Sequence, residues 1–338
     1  MAGSGVPAPV PPEDADRVRS LERYAVLDTE DEEAFDRITR LASGLLDMPI
    51  ALVSLVDGER QWFKSKVGVE ATQTSRELAF CAYTILGDEV FTVPDTTNDE
   101  RFAGHPLVTG DPQIRFYAGV PLTAADGSNL GSLCVIDREP RNLDARELAL
   151  LVDLAGLAQR ELELRRAAMS DGLTGVFNRE GLVAAANREI VRAQSHGETL
   201  CLAVLDLDHF KDINDTYGHA GGDSVLCSVA DIIAANLRGV DIVGRLGGDE
   251  FALLLPGADE GQTRTIVDRI RGALAQSRKE LVGAARAVTF SIGVAEFDPL
   301  TDDLPALFGK ADKALYRAKR AGGDRVDVDA GKNQPGRE

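Results

Sequence analysis

The sequence lacks several features that would each indicate a particular class of protein. It has no run of about twenty apolar residues, as a transmembrane helix requires, and its Pro- and Gly-rich start does not resemble a signal peptide. Basic residues are scarce, with 37 Lys and Arg against 55 Asp and Glu, which argues against nucleic acid or an anionic membrane surface as a partner. We therefore expect a cytoplasmic protein in which cations compensate the charge of any bound polyphosphate.

Cysteine is rare, and its spacing forms no CxxC pair. Each of the four cysteines lies in an apolar stretch, and they are Cys81, Cys134, Cys201 and Cys227. The pattern is typical of small buried side chains in a reducing compartment. Attachment of a bilin to Cys81 is a less favoured alternative, and we interpret His105, which precedes a proline, as a loop residue rather than a ligand.

The length of 338 residues is typical of two domains. We predict flexible tails over 1–16 and 328–338, a first domain over 17–145, a linker helix over 146–169 and a second domain over 170–327. No further domain is expected after the second.

The first domain shows a helix followed by antiparallel strands. Phe35, Ile38 and Leu41 recur at helical spacing, and the apolar strand over 50–56 ends at the turn Asp57-Gly58. Further strands are predicted over 61–67, 90–93, 116–122 and 131–136. Helices before the strands and a helix after them indicate an α+β sheet domain.

Three short stretches of this domain carry a family resemblance. They are AGVPL at 118–122, the turn DG at 126–127 and LGSLCVID at 130–137. At these residues the domain resembles a GAF domain with its antiparallel sheet. The resemblance implies a module that senses a small molecule or a partner protein, and it determines neither the ligand nor the direction of its effect.

The linker helix has a heptad-like pattern. One row repeats every seven residues and a weaker row runs beside it; the rows consist of Leu148, Ala155, Leu162 and Met169, and of Leu151, Ala158 and Arg165. Such rows favour a parallel coiled-coil dimer. The alternative is a single amphipathic helix that packs on its own domain.

The second domain places a carboxylate at the end of an apolar strand. Residues 200–205 are wholly apolar, which is typical of a central strand, and Asp206 follows them. A carboxylate in this position is costly unless it binds something. Magnesium prefers oxygen ligands, often two carboxylates together with phosphate oxygens, so Asp206 is a candidate ligand that needs a second carboxylate.

A predicted hairpin supplies that second carboxylate. Gly247 and Gly248 lie between two strand-like segments, over 242–246 and 251–255. Paired glycines permit positive φ and let a ligand approach the backbone closely. Asp249 and Glu250 follow them and are expected at the tip of the hairpin; solvated turn residues are the alternative interpretation.

Six motifs occur in the order typical of one family. They are DGLT at 171–174 with NR at 178–179, DLDHFKDIND at 206–215, GHAGGD at 218–223, RLGGDEF at 245–251, SIGVA at 291–295, and AD, LY and AK between 311 and 319. Over 170–327 the chain is thereby similar to the GGDEF family of diguanylate cyclases. The resemblance implies a palm-like, ferredoxin-like βαββαβ core related to nucleotide cyclases, and the metal-dependent condensation of two GTP molecules into cyclic di-GMP and two pyrophosphates.

The resemblance also implies roles for single residues. Two magnesium ions, with manganese as an alternative, would be held by Asp206, Asp249 and the Leu207 carbonyl. Glu250 would assist catalysis beside Asp249. The triphosphate would contact five further residues, which are Phe210, Lys211, Gly247, Gly248 and Lys319.

Asn214 and Asp223 are implied to select the base. A carboxylate can accept the N1–H and N2–H groups of guanine side by side, whereas adenine would leave Asp223 buried and unpaired, at a cost of about 1–3 kcal/mol. GTP is therefore the expected substrate. Ordinary hydrogen bonding at the protein surface is the alternative role of Asp223.

One position departs from the family pattern. After Lys319 the family usually continues with Gly-Arg-Asn, whereas this sequence has Gly322-Gly323-Asp324. Gly323 therefore stands where an arginine would bind the triphosphate. Arg325 is the nearest replacement, and we expect a lower affinity for GTP than is usual in the family.

Arg238 and Asp241 have the RxxD spacing of the family's product-inhibition site, and Asp241 lies six positions before Gly247. The resemblance implies that Arg238 binds the edges of guanine and phosphate and that Asp241 accepts from a guanine. Arg269 would contribute from the following helix. The alternative is a solvated ion pair at the end of a helix.

The expected reaction requires a homodimer. Each GGDEF site holds one GTP, so the formation of two phosphodiester bonds needs two sites face to face. We expect an unidentified signal at the GAF domain to change the linker helix and thereby the activity. The alternative is a catalytically silent module that binds GTP or cyclic di-GMP, for which Gly323 is the only support.

Overall fold

The computed structural model describes residues 10–277 and 288–329, and the chain divides into two compact units, Met1–Arg166 and Ala167–Glu338. The first helix begins at Asp14 and the last strand ends at Val328, so short parts of both predicted tails have regular structure. Residues 1–9 and 330–338 of those tails lie outside the described residues.

The first unit combines an antiparallel sheet with helices. The helices are α1 (Asp14–Glu22), α2 (Glu33–Leu45), α3 (Cys81–Thr84), α4 (Pro106–Thr109) and α5 (Ala145–Met169). The strands are β1 (Ile50–Val56), β2 (Arg60–Val67), β3 (Gln73–Ser75), β4 (Phe91–Val93), β5 (Phe116–Thr123) and β6 (Asn129–Asp137). Their order in the sheet is β3-β2-β1-β6-β5-β4, and every neighbouring pair is antiparallel, which confirms the predicted sheet.

The central strands of this sheet are covered on both faces. On β1, Ala51 and Val53 belong to a core that also contains residues of α2 and α5, whereas Ile50 and Leu52 belong to a second core with Cys81 of α3. Because both faces are buried, the strands at the centre read as continuous apolar runs rather than as an alternating pattern.

Helix α5 packs on the core of its own unit along most of its length. The residues that it buries are Leu151, Leu154, Ala155, Ala158 and Leu162. Arg165 of the weaker heptad row donates to the carbonyl of Ala25 at 2.8 Å. The linker is therefore helical, as predicted. Much of its heptad pattern belongs to residues that pack on the helix's own domain, which is the alternative to a coiled-coil dimer. Val152, Leu157 and Leu164 of the same helix are exposed.

The second unit is built on a five-stranded sheet. Its helices are α6 (Arg179–His196), α7 (Phe210–Ala235), α8 (Glu260–Gln276) and α9 (Leu304–Arg320). Its strands are β7 (Leu200–Leu207), β8 (Ile242–Gly247), β9 (Glu250–Pro256), β10 (Phe290–Glu296) and β11 (Val326–Val328), in the order β11-β10-β7-β9-β8. The succession β7-α7-β8-β9-α8-β10 is the βαββαβ core that the sequence predicts.

Strand β7 lies at the centre of this sheet and is buried throughout. It pairs antiparallel with β9 on one side and with β10 on the other. Its end is therefore held from both sides, and the residues that follow it are fixed in position. Over the described residues, none of the helices of the chain is both long enough and apolar enough to cross a membrane.

Candidate active site

Asp206 lies at the end of β7, between two neighbouring strands. It is paired with Glu250 of β9 and with Ser291 of β10, and it is 8% exposed. The N–H of the next residue, Leu207, donates to the carbonyl of Asp249 at 3.3 Å. The sheet register thus brings Asp206, Leu207 and Asp249 together, as the sequence predicts for the metal ligands.

The hairpin turn that carries Asp249 depends on its two glycines. Gly247 has a φ of 147° and Gly248 a φ of 53°, both in the region that disfavours other residues. The guanidinium of Arg245 donates twice to the Gly248 carbonyl, from Nε at 2.9 Å and from Nη2 at 2.7 Å. The same guanidinium donates to Asp171 Oδ1 from Nη1 at 3.1 Å.

Asp171 and Arg245 therefore form a support for the turn, to which the sequence analysis assigned no role. Asp171 is itself fixed, because its carboxylate accepts from the backbone N–H and the hydroxyl of Thr174 at 2.9 and 2.7 Å. Asp171 lies in the family motif at 171–174 and Arg245 in the motif at 245–251. Their place in these motifs was the only sign in the sequence that they have a role.

Negative charge exceeds positive charge around Asp206. Burial raises the pKa of Asp206, the nearby Asp249 and Asp208 add to the increase, and Lys319 opposes it. Lys319 Nζ lies 2.5 Å from Asp206 Oδ2. Burial and the charge of Asp206 likewise raise the pKa of Glu250. A bound cation would therefore relieve the repulsion between these carboxylates and the cost of burying their charge.

The donor set fits a magnesium ion that is shared with phosphate. Within the described ranges, no three Asp, Glu, His or Cys side chains converge as a complete metal cage. Magnesium commonly uses one or two carboxylates and completes its shell with substrate phosphates and water. Asp206, Asp249 and the Leu207 carbonyl supply oxygen ligands of that kind at one edge of the sheet.

A cleft of about 530 Å³ opens beside these groups. It is lined by Asp206, Leu207, Asp208, His209, Phe210, Lys211, Asp249, Lys319, Gly322 and Gly323. Six of the predicted site residues thus share one cleft. Five other residues predicted for catalysis or substrate binding do not line this cleft; they are Glu250, Gly247, Gly248, Asn214 and Asp223.

Asn214 and Asp223 are brought near each other by a kink in α7. The backbone leaves the helical region at Gly218, where φ is 72° and ψ is 172°. Beyond the kink, Gly222 lies so close to Asn214 that a Cβ at this glycine would be 1.9 Å from Asn214 Oδ1. Asp223 follows Gly222 directly. It is exposed rather than buried, so the penalty for an unpaired carboxylate applies only when a ligand covers it.

The structure explains why glycine stands at position 323. Gly323 has a φ of 73°, and a Cβ there would lie 3.0 Å from Asp208 Oδ1. Asp208 ties this turn to the sheet, since its carboxylate accepts from Ser291 Oγ at 2.6 Å, Thr289 Oγ1 at 2.7 Å and the Asp324 N–H at 2.9 Å. Sequence reasoning gave Asp208 no role, although it stands in the motif at 206–215.

Arg325 is folded back onto the same turn. Its Nε donates to the Gly323 carbonyl at 3.2 Å. A Cβ at Gly322 would lie 3.9 Å from its Nη2, so the guanidinium stands next to two glycines that line the cleft. Arg325, which the sequence analysis named as the nearest replacement for the arginine, therefore lies beside the cleft.

The predicted inhibitory residues pair with one another. Arg238 donates from Nη2 to Asp241 Oδ1 at 2.8 Å, and its backbone N–H donates to Asp241 Oδ2 at 2.8 Å. The side chain of Asp241 is fully covered, whereas that of Arg238 is half exposed. Arg269 reaches the same neighbourhood, because its guanidinium donates to the Asn236 carbonyl. Of this pair, Arg238 is therefore the residue whose side chain is accessible to solvent.

Comparisons with known proteins agree with this arrangement. Residues 168–325 match the family described as diguanylate cyclase, GGDEF domain, and residues 30–162 match the GAF domain. A crystal structure of the coiled coil and GGDEF domain of DgcB from Caulobacter crescentus in complex with c-di-GMP is similar, with a TM-score of 0.50 and 34% identity. The similarity covers 54% of this chain and 97% of that one.

Two curated relatives come from Pseudomonas aeruginosa. The cyclic di-GMP phosphodiesterase PA2567 is 36% identical over 299 residues, which are 87% of this chain and 50% of that protein. The diguanylate cyclase DgcP is 42% identical over 164 residues, which are 48% of this chain and 24% of that protein. The chain thus spans half or less of the length of these relatives. The matched families, the βαββαβ core and the carboxylates at the end of β7 together place the chain in the GGDEF family of diguanylate cyclases, with a GAF domain before the GGDEF domain.

Proposed function

We propose that the protein condenses two GTP molecules into cyclic di-GMP and two pyrophosphates at the cleft beside β7. The observation that carries this proposal is the convergence of Asp206, Leu207 and Asp249 with Lys319 in one cleft. Two of these groups are acidic oxygen ligands, and Lys319 is a cation suited to a phosphate. The arrangement is the one that phosphoryl transfer requires, because such catalysis is mainly positioning and charge stabilisation.

Asp206, Asp249 and the Leu207 carbonyl would hold two divalent ions, magnesium or manganese. When bound, such ions polarise the α-phosphate and lower the pKa of the attacking 3′-hydroxyl. Glu250 is suited to accept a proton nearby, since burial and the charge of Asp206 raise its pKa. Lys319 and Lys211 line the cleft and would neutralise phosphate oxygens.

Specificity for guanine would come from Asn214 and Asp223. The exposed carboxylate of Asp223 can accept two N–H groups from guanine, and Asn214 is fixed against Gly222 beside it. Phe210 is packed near the same glycine and would cover the nucleotide from the cleft side. We expect GTP to be preferred over ATP.

The reaction would take place between two copies of the chain. One cleft holds one nucleotide, so each of the two bonds needs a second active site opposite. The exposed side chains of Val152, Leu157 and Leu164 on α5 would supply a contact between the linker helices. Relative to the full chain, residues 165–338 should dimerise more weakly and turn over more slowly. Equal dimerisation and equal rates would reject this part of the proposal.

Regulation would act at two places. A signal at the GAF domain would change the linker helix and thereby the approach of the two active sites. The product would bind at Arg238 and Arg269, which reach one neighbourhood in the second unit, with Asp241 holding Arg238 in position. Arg238→Ala should therefore relieve inhibition by added cyclic di-GMP.

The direct test is incubation with Mg²⁺ and GTP, followed by detection of cyclic di-GMP. Asp249→Ala should reduce the rate by a factor on the order of 100 or more, because it removes a metal ligand. Asp231→Ala, an exposed carboxylate on α7, is the matched control and should retain full activity. Absence of product from the unaltered chain would reject the proposal.

The second candidate is a silent module that binds GTP or cyclic di-GMP. It is favoured by the glycine at position 323 and by PA2567, a relative named as a phosphodiesterase. Half of that relative lies outside the match, and its name does not say which half carries the activity. Binding of GTP without turnover would support this candidate, and consumption of added cyclic di-GMP would point to hydrolysis.

A further inference from the structure

Two cysteines meet in the core of the first unit, although 53 residues separate them in the chain. Cys81 begins the short helix α3, and Cys134 lies on the central strand β6. Their Sγ atoms are 3.6 Å apart, which is van der Waals contact. Cys81 is 1% exposed and Cys134 is 0% exposed. Both are free thiols in this structure.

Several hydrogen-bond donors are directed at the sulfur of Cys81. Gln61 Nε2 and the Tyr117 hydroxyl both donate to it at 3.3 Å. The Tyr117 hydroxyl is in turn fixed by Thr84 Oγ1 at 2.6 Å. Gly119 is required beside it, because a Cβ there would lie 2.3 Å from the hydroxyl oxygen. A buried cysteine that served only as a small apolar side chain would not need these donors.

Two serines add to this polar environment. Ser54 and Ser132 are paired across β1 and β6 and are fully buried. Their hydroxyls lie outside ordinary hydrogen-bond geometry with any partner in the described residues, yet they are close enough to favour a negative charge on Cys81. Burial by itself would raise the pKa of Cys81, and the donors, Cys134 among them, outweigh burial and lower it.

Cys201 of the second unit has the raised pKa that is ordinary for a buried thiol. It is buried on β7 in an apolar core, and burial raises its pKa to about 12. The same chain therefore contains one buried thiol that stays protonated near neutral pH and one that is surrounded by groups that stabilise a thiolate. The reactivity of a cysteine depends on its thiolate character and on the access of the oxidant, so peroxide must reach the buried Cys81 through local opening of the short helix α3.

We propose that Cys81 and Cys134 form a reversible thiol redox site whose oxidant is a peroxide. The Cys81 thiolate attacks one oxygen of hydrogen peroxide, the O–O bond breaks, and a sulfenic acid and hydroxide form. The Cys134 thiol then attacks the sulfenic sulfur, the S–O bond breaks, and a disulfide forms. In total two thiols lose two electrons and two protons, and the peroxide becomes two molecules of water. A dithiol returns the pair to its reduced state.

The oxidised state requires a local rearrangement. The two Sγ atoms must approach from 3.6 Å to about 2.05 Å, the length of a disulfide bond. Cys134 is held in the centre of the sheet, whereas α3 has four residues only. The movement therefore falls on α3, and it separates the Cys81 sulfur from Gln61 and Tyr117. Oxidation would thus reshape the face of the sheet that α3 covers.

The test uses the full chain and hydrogen peroxide alone. After treatment at neutral pH and blocking of free thiols, mass spectrometry of proteolytic peptides should show the segments containing Cys81 and Cys134 linked. The thiol count should fall from four to two and return to four with dithiothreitol. Cys201→Ala is the matched control and should still form the link.

A variant locates the reactive sulfur. In Cys134→Ala, Cys81 should be trapped as a sulfenic acid by dimedone, because the thiol that would resolve it is absent. Peroxide that consumes the half-exposed Cys227 while Cys81 and Cys134 remain free thiols in the unaltered chain would overturn the proposal. Since that measurement needs no variant, a folding defect in Cys134→Ala would not obscure it.

Discussion

The two units differ in the surroundings of their buried polar groups. In the first unit, Cys81 is buried in the core, and uncharged side chains donate hydrogen bonds to its sulfur or to one another. In the second unit, Asp206 lies at the mouth of a cleft and carries a charge that its protein partner Lys319 does not fully offset. Most polar groups of a buried cluster find their hydrogen-bond partners within the protein, whereas an open site can leave charge for a ligand.

The difference predicts opposite effects on stability when one polar group is removed. Loss of a group from the buried cluster should leave buried partners without hydrogen bonds. Loss of charge from the open site should remove a repulsion between carboxylates that no bound cation relieves in the metal-free protein. The two units can be followed separately, because the single tryptophan, Trp62, lies in the first.

The largest expected effect is that of Asp206→Asn. Turnover of GTP should fall by a factor on the order of 100 or more, because a charged metal ligand is lost. Without metal, however, the second unit should become more stable. The folded-state pKa of Asp206 is raised, so its ionisation costs stability above its unfolded pKa, and that cost disappears as the pH falls through the folded pKa.

This prediction is measured by thermal unfolding in a chelator at neutral pH. The transition reported by circular dichroism for the second unit should move up, and the Trp62 fluorescence transition should not move. Near pH 4 the difference between Asp206→Asn and the unaltered chain should shrink. A lower midpoint for the variant at neutral pH would show that the pair with Lys319, rather than repulsion, dominates at Asp206.

An intermediate effect is expected for Tyr117→Phe in the first unit. The variant leaves the Thr84 hydroxyl buried without its partner and removes one donor from Cys81, at a cost of about 1–3 kcal/mol. The midpoint of the Trp62 fluorescence transition should fall by several degrees. Tyr316→Phe, at an exposed tyrosine of α9, is the matched control and should leave both units unchanged. An unchanged Trp62 midpoint in Tyr117→Phe would mean that the cluster contributes nothing to stability.

The smallest effect is expected for Gly323→Arg, which restores the arginine that is usual in the family. The KM for GTP should stay the same or rise, because φ at this residue is 73° and a Cβ would meet Asp208. Arg325→Ala should also raise the KM for GTP, since the Arg325 side chain lies beside the two glycines that line the cleft. A KM that falls in Gly323→Arg would show that the turn adapts to a side chain.

The features that the sequence predicts well are formed by residues that lie close together in the chain. Asp206 ends an apolar strand and Asp249 follows two glycines, so each signal lies within about ten residues, and the strand register then brings them together. The cluster around Cys81 was not predicted, because its members come from β2, α3, β5 and β6 and none has a local signature. The roles of Asp208 and Arg245 were missed for a related reason: each acts on a residue of another segment.

The linker helix shows a different limit of sequence reasoning. A heptad row indicates which face of a helix is apolar and does not say what covers it. Leu151, Ala155 and Leu162 pack on their own unit, and the exposed apolar residues lie outside both heptad rows. The kink at Gly218 was likewise not predicted, since an isolated glycine in a helical pattern is compatible with an unbroken helix.

The support of the Gly247-Gly248 turn begins close to the end of α5. Asp171 lies two residues after Met169, the last residue of that helix, and Arg245 connects it to the Gly248 carbonyl. Asn178 also donates to the Ala168 carbonyl at 2.7 Å. A rotation of the helix end would therefore be transmitted to the Gly247-Gly248 turn through one short covalent segment and two hydrogen-bonded side chains. The connection between the end of α5 and this turn is thus only a few residues long.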